Sequence, residues 1–146
     1  MSIDNIIGNT PLVEIQHMNP NKNVKIYCKL EGQNPGGSVK DRAAYGMISK
    51  ALERGDIKPG DKLVEATSGN TGIALAMIAQ LKGLEMHLIM PDNSTRERVL
   101  TMEAYGANLI LTPAAKTIEY SRTLAEEMAA TGDYYMLNQF ANEDNY

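Results

Sequence analysis

Short apolar runs alternate along this chain with longer stretches of helical spacing, and glycine, proline and asparagine mark the joins. The run over 24–30 (Val-Lys-Ile-Tyr-Cys-Lys-Leu) reads as a strand bounded by Asn and Pro turns. A helix is predicted over 38–54, with Ser38 as N-cap, Asp41 three residues on in a capping-box arrangement, and Gly55 as the stop. After the turn Lys58-Pro59-Gly60-Asp61 comes a short strand over 62–66. The stretch 71–81 is apolar on every side and predicts a buried helix. A strand over 86–90 ends at Pro91, a helix spans 94–105, and a further strand covers 108–111. The helix over 117–130 places Ile118, Ser121, Leu124, Ala125 and Met128 on one face and turns Glu126 and Glu127 outward. Gly132 ends it, and 134–137 is one more strand. Strands spaced by helices in this way predict an α/β fold, a parallel sheet flanked by helices on both faces.

Two stretches stand outside that pattern. The segment 6–13 needs a sheet to join, and the sequence shows no evident partner for it. The polar tail 138–146 closes on no element, as expected either of a loose tail or of the front part of something longer. Composition narrows the function classes. The 146 residues suffice for one domain with a real core, and a net charge of −4 argues against a nucleic-acid footprint. No apolar run approaches the roughly 20 residues that span a bilayer, and the N-terminus lacks the basic-then-apolar pattern of a signal peptide. One cysteine fits a reducing cytoplasm, and Cys28, set in an apolar run, is expected to be a buried structural thiol. With no Trp and one Phe, the nine methionines and the small aliphatics must fill the core. His17 and His87 show no partners at ligand spacing, so no metal site is expected. Arg96, Arg98 and Glu97 read as a solvated helix face.

Two segments carry the chemistry: Pro35-Gly36-Gly37-Ser38-Val39-Lys40-Asp41-Arg42 and Glu65-Ala66-Thr67-Ser68-Gly69-Asn70-Thr71-Gly72. Each reads as a Gly/Ser-rich turn that opens a helix. The first puts Lys40 in a helix's first turn, where partial positive charge already sits and an ammonium is disfavoured. That suits a lysine working as a neutral amine, the form Schiff-base chemistry needs. Gly36 and Gly37 allow close backbone approach to a ligand. The second segment offers free backbone amides, hydroxyls and an amide, a cradle for a carboxylate at the carboxyl end of a strand. A P-loop is excluded because GxxxxGK[ST] is absent, and the dinucleotide fingerprint GxGxxG is absent too. A nucleophilic amine beside a carboxylate cradle points to amino-acid chemistry.

Ile7-Gly-Asn-Thr-Pro-Leu-Val13, Asn34-Pro-Gly-Gly-Ser-Val-Lys-Asp-Arg42 and Glu65-Ala-Thr-Ser-Gly-Asn-Thr-Gly-Ile-Ala-Leu-Ala76 together resemble the cysteine synthase (O-acetylserine sulfhydrylase) family. The likeness runs in order through the whole chain. This is the β-replacing group of pyridoxal-phosphate enzymes that includes cystathionine β-synthase and the tryptophan synthase β-chain. Glu65-Ala66, Met90-Pro-Asp-Asn93 and Ala104-Tyr-Gly-Ala107 look closer to the family's B isoform than to its A isoform.

The resemblance implies the fold type II architecture of the tryptophan synthase β-chain, of which this sequence would be the smaller N-terminal domain. Residues 1–35 would pack on a second domain, and 36–146 would form the α/β domain with the cofactor lysine and the substrate loop. Lys40 is implied as the Schiff-base lysine for pyridoxal 5'-phosphate and as the carrier of the substrate's Cα proton. Asn70 would hydrogen-bond the cofactor's phenolic oxygen. Thr67, Ser68, Gly69, Asn70 and Thr71, with Gln139, would bind the substrate α-carboxylate. The implied reaction replaces the acetoxy group of O-acetyl-L-serine by sulfide, giving L-cysteine and acetate, or by thiosulfate, giving S-sulfocysteine. A cytoplasmic homodimer is implied, with no nucleic-acid or membrane partner, and the B-like features argue against docking of a serine acetyltransferase tail. Two α/β domains need roughly 300 residues, so the cofactor's phosphate loop and the serine that meets its pyridine nitrogen are expected beyond this sequence. The 146 residues alone would then turn over weakly or not at all. The alternatives are a non-catalytic fragment or interaction module of this family, or a related cystathionine β-synthase.

Overall fold

The alternating pattern folds as a four-stranded parallel sheet in the computed structural model, which describes residues 2–21 and 23–145. The strands β3 (Lys62–Ala66), β4 (Glu85–Pro91), β5 (Asn108–Thr112) and β6 (Tyr135–Met136) lie in the order β5-β4-β3-β6. Ahead of them in the chain are β1 (Leu12–Glu14) and β2 (Tyr27–Lys29). The register runs from Lys62 opposite Glu85 to Ala66 opposite Ile89, and from His87 opposite Asn108 to Pro91 opposite Thr112. The helices are α1 (Lys40–Arg54), α2 (Asn70–Leu81), α3 (Arg96–Ala104) and α4 (Thr117–Ala130).

Central position explains the composition of β3: with neighbours on both edges and helices on both faces, everything from Leu63 to Ala66 is buried. Successive side chains of a strand face opposite sides. Leu63 therefore joins the larger core with Met47, Ile48, Leu75, Ile78 and Met90, while Val64 and Ala66 meet Ala125 of α4. Each fully buried Leu, Ile or Met contributes about 1.5–3 kcal/mol. Methionines 47, 90 and 102, all completely enclosed, take the volume that aromatic residues would otherwise fill. Gly72 lets α2 and α3 close together, because a Cβ there would come within 2.8 Å of Met102 Cε.

The predicted helix start shifts. α1 begins at Lys40, with Ser38 Oγ accepting the Lys40 N–H at 3.1 Å. Asp41 does not return to Ser38 as a capping box would; its carboxylate turns to the Gly36 N–H instead. Asp is a methylene shorter than the Glu or Gln of that motif. Gly55, at φ +79°, ends the helix as expected.

The N-terminal part departs further from the sequence reading. Of the stretch 24–30 only β2 is a strand, and it pairs antiparallel with β1, Leu12 opposite Lys29, outside the parallel sheet. The partner for segment 6–13 is thus in the chain itself. Leu12, Val13, Glu14 and Tyr27 are exposed, so the ribbon buries neither face and its alternation carried no information about a core. Cys28 sits half-buried in this ribbon, not in the core, with Sγ 4.0 Å from the Lys29 carbonyl oxygen. The segment is nevertheless tied to the main body: Ile7 packs on the larger core, and Lys82 pairs with Asp4. That pairing, with a bond from Ser2, holds the Asp4 carboxyl below its ordinary range. The polar tail is anchored as well. Asn142 Nδ2 donates to the Leu137 carbonyl at 2.7 Å, and Arg54 pairs with Asp144 at 2.7 Å. The Asp144 carbonyl lies against α1 where a Cβ on Gly46 would come within 2.8 Å of it.

Candidate active site at the carboxyl edge of the sheet

α1 returns to β3 through the short connection 55–61, and α2 leaves β3 through 67–69. Both helices therefore run antiparallel to the strand, and both N-termini lie at the carboxyl edge of the sheet, where open α/β sheets bind ligands. The first residue of α1 is Lys40 and the first of α2 is Asn70.

The turn before Lys40 is held by its own neighbours. Asn34 accepts the Gly8 N–H at 2.8 Å and donates to the Ser38 carbonyl at 3.0 Å and to Glu31 Oε2 at 2.8 Å. Arg42 forks onto Glu31, Nε to Oε2 at 2.8 Å and Nη2 to Oε1 at 2.9 Å, and also donates to the Gly8 carbonyl at 2.6 Å. Thr10 adds a bond to Glu31 Oε1 at 2.8 Å. Arg42 first, then Thr10, holds the Glu31 carboxyl down at about 2. The sequence reading gave Glu31, Asn34 and Arg42 no part; their work is to lock residues 8–10 onto the start of α1. Gly36 also differs from expectation. A Cβ there would overlap Asp41 Oδ1, so this glycine admits the aspartate rather than a ligand. Gly37 has open space and φ +85°, so its need is conformational. Asp41 is completely buried, and burial raises its carboxyl above the usual range; Oδ1 has no hydrogen-bond partner among the described residues. Lys40 is the opposite case: exposed, with no ion pair or side-chain hydrogen bond among the described residues.

The loop after β3 shows the same division. The Thr67 N–H extends the ladder to the Ile89 carbonyl at 3.1 Å, and Thr67 Oγ1 accepts the Gly69 N–H at 3.4 Å. The side chains of Ser68, Asn70 and Thr71 make no hydrogen bond among the described residues. In the first turn of α2 the Gly72 N–H donates to the Gly69 carbonyl at 3.0 Å, while the N–H groups of Asn70 and Thr71 have no acceptor among the described residues. Gln139, far along the chain, folds back so that Nε2 lies 3.5 Å from the Ala66 carbonyl. Thr67 and Gln139 then share a cavity of about 370 Å³ with Glu65, Ile118, Arg122 and Phe140. Asn70 borders a different groove, with Ile73, Thr95 and Arg98. Lys40, Ser68, Gly69 and Thr71 border neither.

Glu65 is the residue that sequence reasoning passed over. It is 1% exposed, and its Oε2 accepts the Asn138 N–H at 2.8 Å. Burial pushes its carboxyl up to about 7 against the opposing pull of backbone N–H groups at 138, 139 and 66. The available signal was a single carboxylate in an otherwise apolar central strand. His87, read as partnerless, has Glu85 Oε1 at 2.8 Å from Nε2, two residues back on the same face of β4, and the Tyr134 ring edge-on at 5.0 Å. Among the described residues no cluster of three His, Cys, Asp or Glu side chains is placed to hold a metal ion, and no helix is long and apolar enough to cross a membrane.

Over residues 3–146 the chain matches the family described as pyridoxal-phosphate dependent enzyme. It is 58% identical over 144 residues to cysteine synthase B of Escherichia coli (strain K12), covering 99% of this chain and 48% of that protein. To cysteine synthase B of Pseudomonas syringae pv. syringae it is 56% identical over 144 residues, covering 99% of this chain and 85% of that one. The crystal structure of cysteine synthase from Entamoeba histolytica superposes with a TM-score of 0.92 at 39% identity, over 98% of this chain and 44% of that chain. The chain spans about half the length of the Escherichia coli relative it matches.

Proposed function

Since the chain belongs to the pyridoxal-phosphate-dependent enzymes, we propose that it supplies the lysine and carboxylate-binding half of a cysteine synthase site. One observation carries this reading. At the carboxyl edge the polar side chains of both motifs are spent on the fold, except for Lys40 and the set Ser68, Asn70 and Thr71. An unpaired amine and an unspent amide fit the aldehyde and the phenolic oxygen of pyridoxal phosphate. When bound, that cofactor supplies an electron sink for charge developing at the substrate Cα.

The residues divide the remaining work. Lys40 Nζ would hold the cofactor through its aldehyde, and the same amine would take the substrate's Cα proton and return it. Asn70 would donate its amide N–H to the ring's phenolic oxygen and so orient the ring. Thr67, Ser68, Gly69, Asn70 and Thr71, with Gln139, bind the α-carboxylate through hydroxyls, amides and the free N–H groups at the start of α2. The positive end of that helix favours the anion. The net reaction on this reading is O-acetyl-L-serine plus sulfide giving L-cysteine plus acetate, with thiosulfate as a second sulfur donor giving S-sulfocysteine. The similarity to cysteine synthase B of two bacteria supports that substrate class. On the same reading the protein is a cytoplasmic homodimer. The exposed apolar side chains of the N-terminal segment, among them Leu12, Val24, Ile26 and Tyr27, support the reading that residues 1–35 pack on a second domain.

Reductive trapping tests the assignment. The intact protein is treated with pyridoxal phosphate and borohydride, and the modified peptide is identified by mass. The phosphopyridoxyl group is expected on Lys40; its recovery on another lysine, or nowhere, overturns the proposal.

A further inference from the structure

Glu65 has no part in the reaction as set out above, yet it is among the most deeply enclosed polar side chains of the chain, at 1% exposure. Its place is the carboxyl end of β3, one residue before Ala66 and two before Thr67, and it borders the cavity that Thr67 and Gln139 share. Its Oε2 accepts the Asn138 N–H at 2.8 Å. Asn138 itself adopts φ +53°, a conformation uncommon outside glycine and most tolerable for Asn. Among the described residues Glu65 is the side chain bonded to that backbone. The next residue is Gln139, whose amide is aimed back at the Ala66 carbonyl.

We propose that Glu65 is a positioning residue that acts through Gln139: its carboxyl fixes the backbone of Asn138 and so sets the following side chain against Thr67 across the cavity. This rests on the reading of Thr67 and Gln139 as a carboxylate subsite. A neutral carboxyl still offers a carbonyl oxygen to the Asn138 N–H, whereas an ionised one beside a bound carboxylate adds like-charge repulsion in a poorly solvated place. The neutral form is therefore the one that accompanies an occupied subsite. Burial favours that form, holding the group up to about 7. The elements packed on β3 bring few charges to it. From α4, Glu119 and Arg122 border the same cavity; β4 carries His87 beside Val64; β6 carries Tyr135; α1 has Asp41 as its one buried ionisable side chain. Of these, Arg122 acts on Glu65, and it pulls toward ionisation.

The test follows the Asn138 and Gln139 amide resonances of the intact, isotope-labelled protein from about pH 5 to about pH 9, with acetate as the carboxylate probe. The Asn138 amide is expected to move through one titration centred near 7, and to lose it in Glu65→Gln. Acetate binding, read at the Gln139 side-chain amide, is expected to weaken about tenfold per pH unit above that midpoint and to become flat in Glu65→Gln. An Asn138 amide indifferent to pH, or a titration that persists in Glu65→Gln, overturns the inference. The titration of the unsubstituted protein decides even if a variant fails to fold. If acetate shifts no resonance of the cavity at any pH while Asn138 titrates as described, the carboxylate subsite falls and the positioning of the 138–139 backbone stands.

Discussion

The Asp41 carboxylate accepts the Gly36 N–H at 2.5 Å and fills the space into which a side chain at position 36 would project. The relationship ties the glycine turn to the first turn of α1 and so fixes where Lys40 emerges. A methyl group at position 36 must displace a buried carboxylate. Gly36→Ala is therefore expected to cost about 1–3 kcal/mol, read as a lower urea midpoint at unchanged slope. A midpoint equal to that of the parent protein would mean that Asp41 does not need this space.

Lys40 touches nothing that the fold requires. Lys40→Ala is expected to stay within about 0.5 kcal/mol of the parent stability while removing the visible Schiff-base band that the proposed function assigns to Lys40 with pyridoxal phosphate. A variant that keeps the band would show that another amine does this work.

The Glu31–Arg42 fork locks residues 8–10 to α1. Arg42→Ala is expected to free the N-terminal segment, measured as faster protease cleavage within residues 1–35, with the β3–β6 region still protected. The pH sense follows from the depressed carboxyl. Glu31 is held at about 2 against an ordinary 4.5, so its contribution is present above 4.5 and is lost as pH falls toward 2. Acid should thus open the N-terminal segment of the parent protein, and leave Arg42→Ala little changed over the same range.

Glu65 works with the opposite sign. Its folded value is raised to about 7, so the folded state binds the proton more tightly than the unfolded chain does. The contribution is complete below 4.5 and drains away as pH rises to about 7. Glu65→Gln is expected to be the more stable protein at pH 8 and to show a flatter stability profile between those values. A profile identical to that of the parent would place the titration elsewhere.

How much of this was legible in the sequence depended on burial. The helix over 117–130 and the strand over 62–66 were readable to the residue, the helix because it has a periodic face that must be covered, the strand because it is a short run buried on both sides between turn signals. The β1–β2 ribbon was not, because both its faces are exposed and its partner is set by backbone pairing alone. Lys40 stood out by its odd position in a helix's first turn. Glu31, Asn34 and Arg42 did not, because bonds reaching back to Gly8 and Thr10 leave no local signature. The proximity of Gln139 to Thr67 is likewise a product of the tail's path, which no spacing encodes.

That path has a mechanical side. The tail is riveted to α1 by Arg54 and Asp144 and lies flush on Gly46, while β6, upstream of it, is a strand of two residues. Asn145 also donates to the Gln139 carbonyl, so the tail is stitched both to α1 and to the segment that walls the cavity. The tail thus works as a brace rather than an ornament: how residues 142–145 seat on α1 bears on the backbone at Gln139, and so on the wall that faces Thr67.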